Sequence, residues 1–121
     1  MDRLSIQHDP CRFAAGKRRL AELLRAAGRD EPDLPNALVT MWLFVTSNDR
    51  ERRDVTRRLA TMLGRPVEDV EGRLPIGPPA FCSEIVHQYR EAGVERIVFW
   101  PLTDEVAQIE MLARDVLPSS A

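Results

Sequence analysis

Ala37-Leu38-Val39-Thr40-Met41-Trp42-Leu43-Phe44-Val45-Thr46 is apolar at nearly every position. A strand with one face in water alternates apolar and polar side chains, so an unbroken run marks a strand buried on both faces, as in parallel sheets covered by helices. A second such run, Arg96-Ile97-Val98-Phe99-Trp100, follows a helix stop at Gly93 and is closed by Pro101. The pair predicts two parallel strands joined through helices in a right-handed crossover. Two strands alone cannot bury both faces of so apolar a segment. Either a second copy completes the sheet, or these strands belong to a larger doubly wound or barrel fold, and the second is favoured.

Helix signals surround both runs. Asp9-Pro10 supplies an N-cap acceptor and a proline at the first helical position, Phe13, Leu20, Leu24 and Ala27 follow at helical spacing, and Gly28 stops the helix. Asn48 and Glu51 have capping-box spacing for a helix running to about Leu63, with Val55, Leu59 and Met62 expected inward and Gly64 and Pro66 ending it. Residues 67–72 read as one or two helical turns. Leu74-Pro75-Ile76-Gly77-Pro78-Pro79 reads as a rigid bridge, since its prolines lack amide donors. A helix over 79–92 places Phe81, Ile85 and Tyr89 on one face, and a last helix over 104–117 places Val106, Ile109, Leu112, Ala113 and Val116 on another. Residues 1–8 read as a loose N-terminus, 9–118 as a single α/β domain and 119–121 as a tail.

At 121 residues, 44% hydrophobic and 30% charged, the chain has the length and composition of one globular domain. A net charge of −2 gives no global basic field for nucleic acid or anionic lipid. The longest apolar run is about half of the roughly 20 residues a membrane helix needs, and the N-terminus lacks a secretory h-region. The expected location is the cytoplasm, where Cys11 and Cys82, which have no C-x-x-C spacing, would stay reduced.

Ile76-Gly77-Pro78-Pro79 leading into a helix, then Tyr89-Arg90-Glu91-Ala92-Gly93-Val94-Glu95-Arg96-Ile97-Val98-Phe99-Trp100-Pro101, then an amphipathic helix ending Val116-Leu117-Pro118, resembles the C-terminal end of luciferase-like monooxygenases. Arg19-Leu20 through Ala27-Gly28-Arg29-Asp30 is similar to a helix of that family ending in Ala-Gly-Arg-Asp. The resemblance runs from about Phe13 to Pro118 and covers the last third of the family's usual length. Pro78-Pro79 stands where the family more often has a small residue and an acidic helix start. The resemblance implies an α/β fold that is the C-terminal part of a TIM (β/α)8 barrel, incomplete as a barrel, with two parallel strands, the seventh and eighth, and four to five helices. It also implies oxidoreductase chemistry on FMN or a deazaflavin, with six strands and most cofactor contacts missing, so the chain alone is expected to be inactive or weakly active.

In a TIM barrel, chemistry sits at the C-terminal ends of strands. Those ends are Thr46-Ser47-Asn48 and Trp100-Pro101-Leu102, which makes Ser47, Asn48 and Trp100 the candidate cofactor-binding residues. Packing explains Trp100 without a ligand, and helix capping explains Ser47 and Asn48. Arg50, Arg52, Arg53, Arg57 and Arg58 make one helix basic, but Glu51 and Asp54 interleave with them, and no basic recognition helix follows. His8 and His87 are the two histidines, with no metal-ligand spacing around either; no phosphate loop, dinucleotide fingerprint or nucleophile elbow occurs. The competing reading is a non-enzymatic assembly module that self-associates as a homodimer, or docks on a partner, through Trp42, Phe44 and Trp100. A third takes the chain as a truncated product whose missing barrel portion lies upstream.

Overall fold

A computed structural model describes residues 9–29 and 36–120. The expectation of a loose 1–8 lies outside that range. Its elements are α1 (Pro10–Ala26), β1 (Leu38–Val45), α2 (Asp49–Leu63), α3 (Val67–Val70), β2 (Ile76–Gly77), α4 (Pro79–Glu91), β3 (Ile97–Pro101) and α5 (Glu105–Met111). The last helix continues as a π-turn over Leu112–Val116 and a 3-10 turn over Leu117–Ser120. Among the described residues these make an α/β fold of five α-helices on a small, open, parallel sheet, and no helix is long and apolar enough to cross a membrane.

The sheet has three strands in the order β2-β1-β3, which corrects the expectation of two. The extra strand comes from the proline-rich bridge. Prolines forbid donors, but the pairing asks none of them to donate: Phe44 N–H donates to Pro75 O at 3.0 Å, Thr46 N–H donates to Gly77 O at 2.8 Å, and β2 ends before Pro78. Gly77 has φ 152°, and a Cβ there would meet the Phe81 ring at 3.2 Å, so glycine is required where β2 turns into α4. In a barrel whose strands follow chain order, β2 would lie between β1 and β3. Here it lies on the far side of β1.

β1 pairs with β3 through Leu38↔Ile97, Met41↔Phe99, Trp42↔Trp100 and Leu43↔Pro101, with an irregularity between Leu38 and Met41 where Thr40 takes φ 60°. Leu102 N–H donates to Leu43 O, so alternation turns the missing donor of Pro101 toward the open edge of β3, where no partner is deprived.

Two apolar clusters hold the sheet. Met41, Phe44 and Ile76 meet Val55, Leu59 and Ala60 of α2, Val70, Leu74, and Ile85 and Tyr89 of α4. Leu43 and Val45 meet Cys82 and Val86 of α4 with Leu112 and Val116. β1 is therefore packed from both sides over Met41–Val45, Trp42 being half-buried, as its composition requires.

Three predicted faces are corrected. No residue of α1 is fully buried, and Leu20 is 47% exposed. Met62 points to solvent at 61% exposure, leaving Leu63 half-buried in its place. In the last helix Val106, Ile109 and Ala113 are exposed, Leu112 and Val116 are buried as expected, and Gln108 completes their inward line at i, i+4 and i+8. The reason for this last shift is a hydrogen-bonding demand at the end of β1, which Gln108 meets.

Candidate functional site

The sheet order fixes where a ligand crevice would fall. From β1 the chain crosses to β2 on one side, then returns past β1 to β3 on the other. In open parallel sheets such a reversal leaves its crevice outside the carboxyl ends of the two diverging strands, here β1 and β3. The barrel reading selects the same ends, so topology and resemblance point to one place.

β1 outruns β3 there. Trp100 lies level with Trp42, and their rings stack at 5.5 Å between centroids with 29° between planes. β3 then turns away at Pro101, whereas β1 continues to Val45. Phe44 and Thr46 face β2, so Val45 faces the space β3 has vacated, with its N–H and C=O in want of partners. Gln108 fills that space: Val45 N–H donates to Gln108 Oε1 at 2.6 Å, and Gln108 Nε2 donates to Val45 O at 3.1 Å. One buried side-chain amide thus does what the next residue of β3 would have done. This residue was missed in the sequence, although its i, i+4, i+8 line with Leu112 and Val116 was there to be read.

Ser47 and Asn48 are exposed just beyond β1. Asn48 Oδ1 accepts from Glu51 N–H at 2.9 Å, the expected N-cap of α2. Glu51 does not close the capping box; its carboxylate accepts from Thr46 Oγ1 at 2.6 Å, and Thr46 Oγ1 accepts from Asn48 N–H at 3.1 Å. The loop is internally tied, and Asn48's carbonyl oxygen serves the helix. Trp100 sits five strand positions back from Ser47, about 16 Å along an extended chain. The structure therefore brings Trp100 to Trp42 and does not bring it to Ser47 or Asn48.

An apolar groove of about 180 Å³ runs between α2 and the turn after β3, lined by Val55, Arg58, Leu59, Met62, Leu102 and Thr103. That is below the roughly 300 Å³ at which small-molecule pockets begin. A hollow of about 530 Å³ along the start of α2 is walled by charged side chains, among them Arg53, Asp54 and Arg57. Their charges are locally paired, Arg53 to Asp49 at 2.7 Å and Arg57 to Asp54 at 3.2 Å.

Among the described residues no group of histidine, cysteine and carboxylate side chains could hold a metal ion. Cys82 is fully buried, and burial pushes its thiol up to about 12, away from nucleophilic use at neutral pH. Tyr89 is also fully buried; burial lifts its phenol well above the ordinary range, and its hydroxyl has no partner among the described residues. For a flavin or deazaflavin, the residues present offer one aromatic wall, the half-exposed Trp42–Trp100 pair. They do not form a cradle for its polar tail, because the nearby Gln108 amide is already bonded to Val45. No chemical step follows from them. A scan against models of known families and a search of curated proteins each returned no match to this chain.

Proposed function

We propose that this chain corresponds to the C-terminal β/α units of a luciferase-like, flavin- or deazaflavin-dependent oxidoreductase, and that alone it supplies a cofactor wall without turnover. The observation that carries this reading is the stacked Trp42–Trp100 pair on adjacent parallel strands, with Trp100 54% exposed on a face of β3 that none of the described helices covers. β1 and β3 stand as neighbours, the relation the seventh and eighth barrel strands would have. β2 then serves as an accessory edge, in place of a strand between them. Trp100 is the cofactor-facing residue of this reading, as a flat apolar face with a single N–H donor. Ser47 and Asn48 would meet polar groups of the cofactor only in a completed barrel, since in this chain they cap α2.

Titration with FMN and with a deazaflavin, followed by tryptophan fluorescence, tests this. Saturable quenching that Trp100→Ala abolishes, with no oxidation of reduced cofactor, is the expected result. Absence of saturable quenching up to the solubility limit would contradict the wall. Steady turnover by the purified chain would contradict its silence.

A further inference from the structure

The described residues include two helices of opposite charge, each with exposed apolar side chains. Within α1, Arg12, Lys17, Arg18, Arg19 and Arg25 stand against one acid, Glu22, a net +4 over Pro10–Ala26. Leu20 and Leu23 are 47% and 50% exposed on this helix, which has no buried residue, and Arg12 and Arg19 share the stripe of Leu23 at i, i+7 and i+11. One polar tie to the body of the fold is Lys17 Nζ–H donating to Gly93 O at 3.3 Å. At the other end of the chain, Val106 and Ile109 are 73% and 53% exposed, one helical turn apart on α5. Asp104, Glu105 and Glu110 flank them, and no base lies within residues 104–111. The next cation, Arg114, is one turn from Glu110 and is held by Asp115 through two hydrogen bonds of 3.0 Å.

We infer that the chain self-associates through these faces, the basic face of α1 in one copy packing on the acidic face of α5 in a second, and reciprocally about a two-fold axis. Each helix shows apolar side chains that the described residues leave exposed, and their charges are opposite. A second copy is thus the partner that buries all four leucine, valine and isoleucine side chains without pairing like charges. Reciprocity closes the assembly at two copies, because both α1–α5 contacts form at once. Opposite charge sets the orientation and speeds encounter, and salt weakens it. This inference is independent of the flavin reading and leaves the Trp100 face free.

Size-exclusion chromatography with light scattering tests it, at about 0.05 M and about 1 M salt, where the screening length falls to about 3 Å. The expected species at low salt is a dimer, twice 13.8 kDa. High salt should weaken it by about tenfold or more, as should Glu105→Lys with Glu110→Lys. Adding Arg12→Glu and Arg19→Glu to that variant makes the flank of Leu23 acidic opposite a now basic α5, and should restore the dimer. All four positions are exposed, and circular dichroism checks that each variant is folded. A wild-type monomer at low salt, a dimer indifferent to the reversal, or open-ended oligomers would each overturn the inference.

Discussion

β1 and β3 are neighbouring strands of similar apolar composition in very different surroundings. Leu43 in β1 has no exposed surface, and Met41, Phe44 and Val45 are nearly as buried. In β3 exposure alternates: Ile97, Phe99 and Pro101 are half-buried, whereas Val98 and Trp100 face solvent. An apolar run in the sequence reports capacity for burial; position in the sheet decides how much is used. β1 lies in the centre and is packed from both sides, so its run holds the fold together. β3 is an edge with one covered face, so Val98 and Trp100 are apolar area left over for something outside the described fold.

If that contrast is right, truncation should be far costlier in β1. Leu43→Ala should lose about 2–5 kcal/mol of unfolding free energy in a urea titration, the range for a fully buried leucine. A loss under about 1 kcal/mol would mean that the centre of the sheet is loosely packed. Gln108→Leu comes next. It keeps the volume but strips Val45 of both backbone partners, at about 1–3 kcal/mol for each unmet group. An unchanged midpoint would show that water reaches the end of β1 and that the amide is no plug.

Alkaline pH probes the same buried side. The Cys82 thiol, ordinarily near 9.0, is pushed up to about 12 by burial, so the folded chain keeps a proton that the unfolded chain releases between those values. Folding stability should fall as pH rises from about 9 to about 12, because ionisation there favours the unfolded chain. The Tyr89 phenol, raised by burial, adds to the fall above about 10. Cys82→Ala should flatten part of that slope. At neutral pH a thiol reagent should label exposed Cys11 quickly and Cys82 only on unfolding. The smallest effect belongs to β3. Trp100→Ala should cost about 1 kcal/mol, chiefly its stacking on Trp42, and a loss as large as that of Leu43→Ala would erase the contrast.

Local signals were legible where they depend on neighbouring residues alone. The strand within the run at 37–46, the caps at Asp9 and Asn48, and the helix stops at Gly28 and Gly64 occur as read, both glycines with positive φ. What escaped depends on partners distant in sequence. β2 was hidden because the prolines on either side of it suggest no strand, and two residues show no alternation to read. The inward line of α5 was misread because its key member is polar; Gln108 points inward for the backbone of Val45, 63 residues away. Of the candidate site, the exposure and position of Trp100 beside Trp42 follow from β3 being an edge strand. Its separation from Ser47 follows from β3 turning away at Pro101 before β1 ends.

The adjacency and register of β1 and β3 underlie the whole account, and a cross-link tests them directly. In a Cys11→Ser background, Trp42→Cys with Trp100→Cys places two thiols at directly paired positions, within the Cα separation of about 4.4–6.8 Å that a disulfide spans. Mild oxidation should close an intramolecular disulfide in nearly all folded chains, with the circular dichroism of the reduced form. Free thiols or solely intermolecular cross-links in a folded variant would contradict the pairing, and with it the aromatic wall.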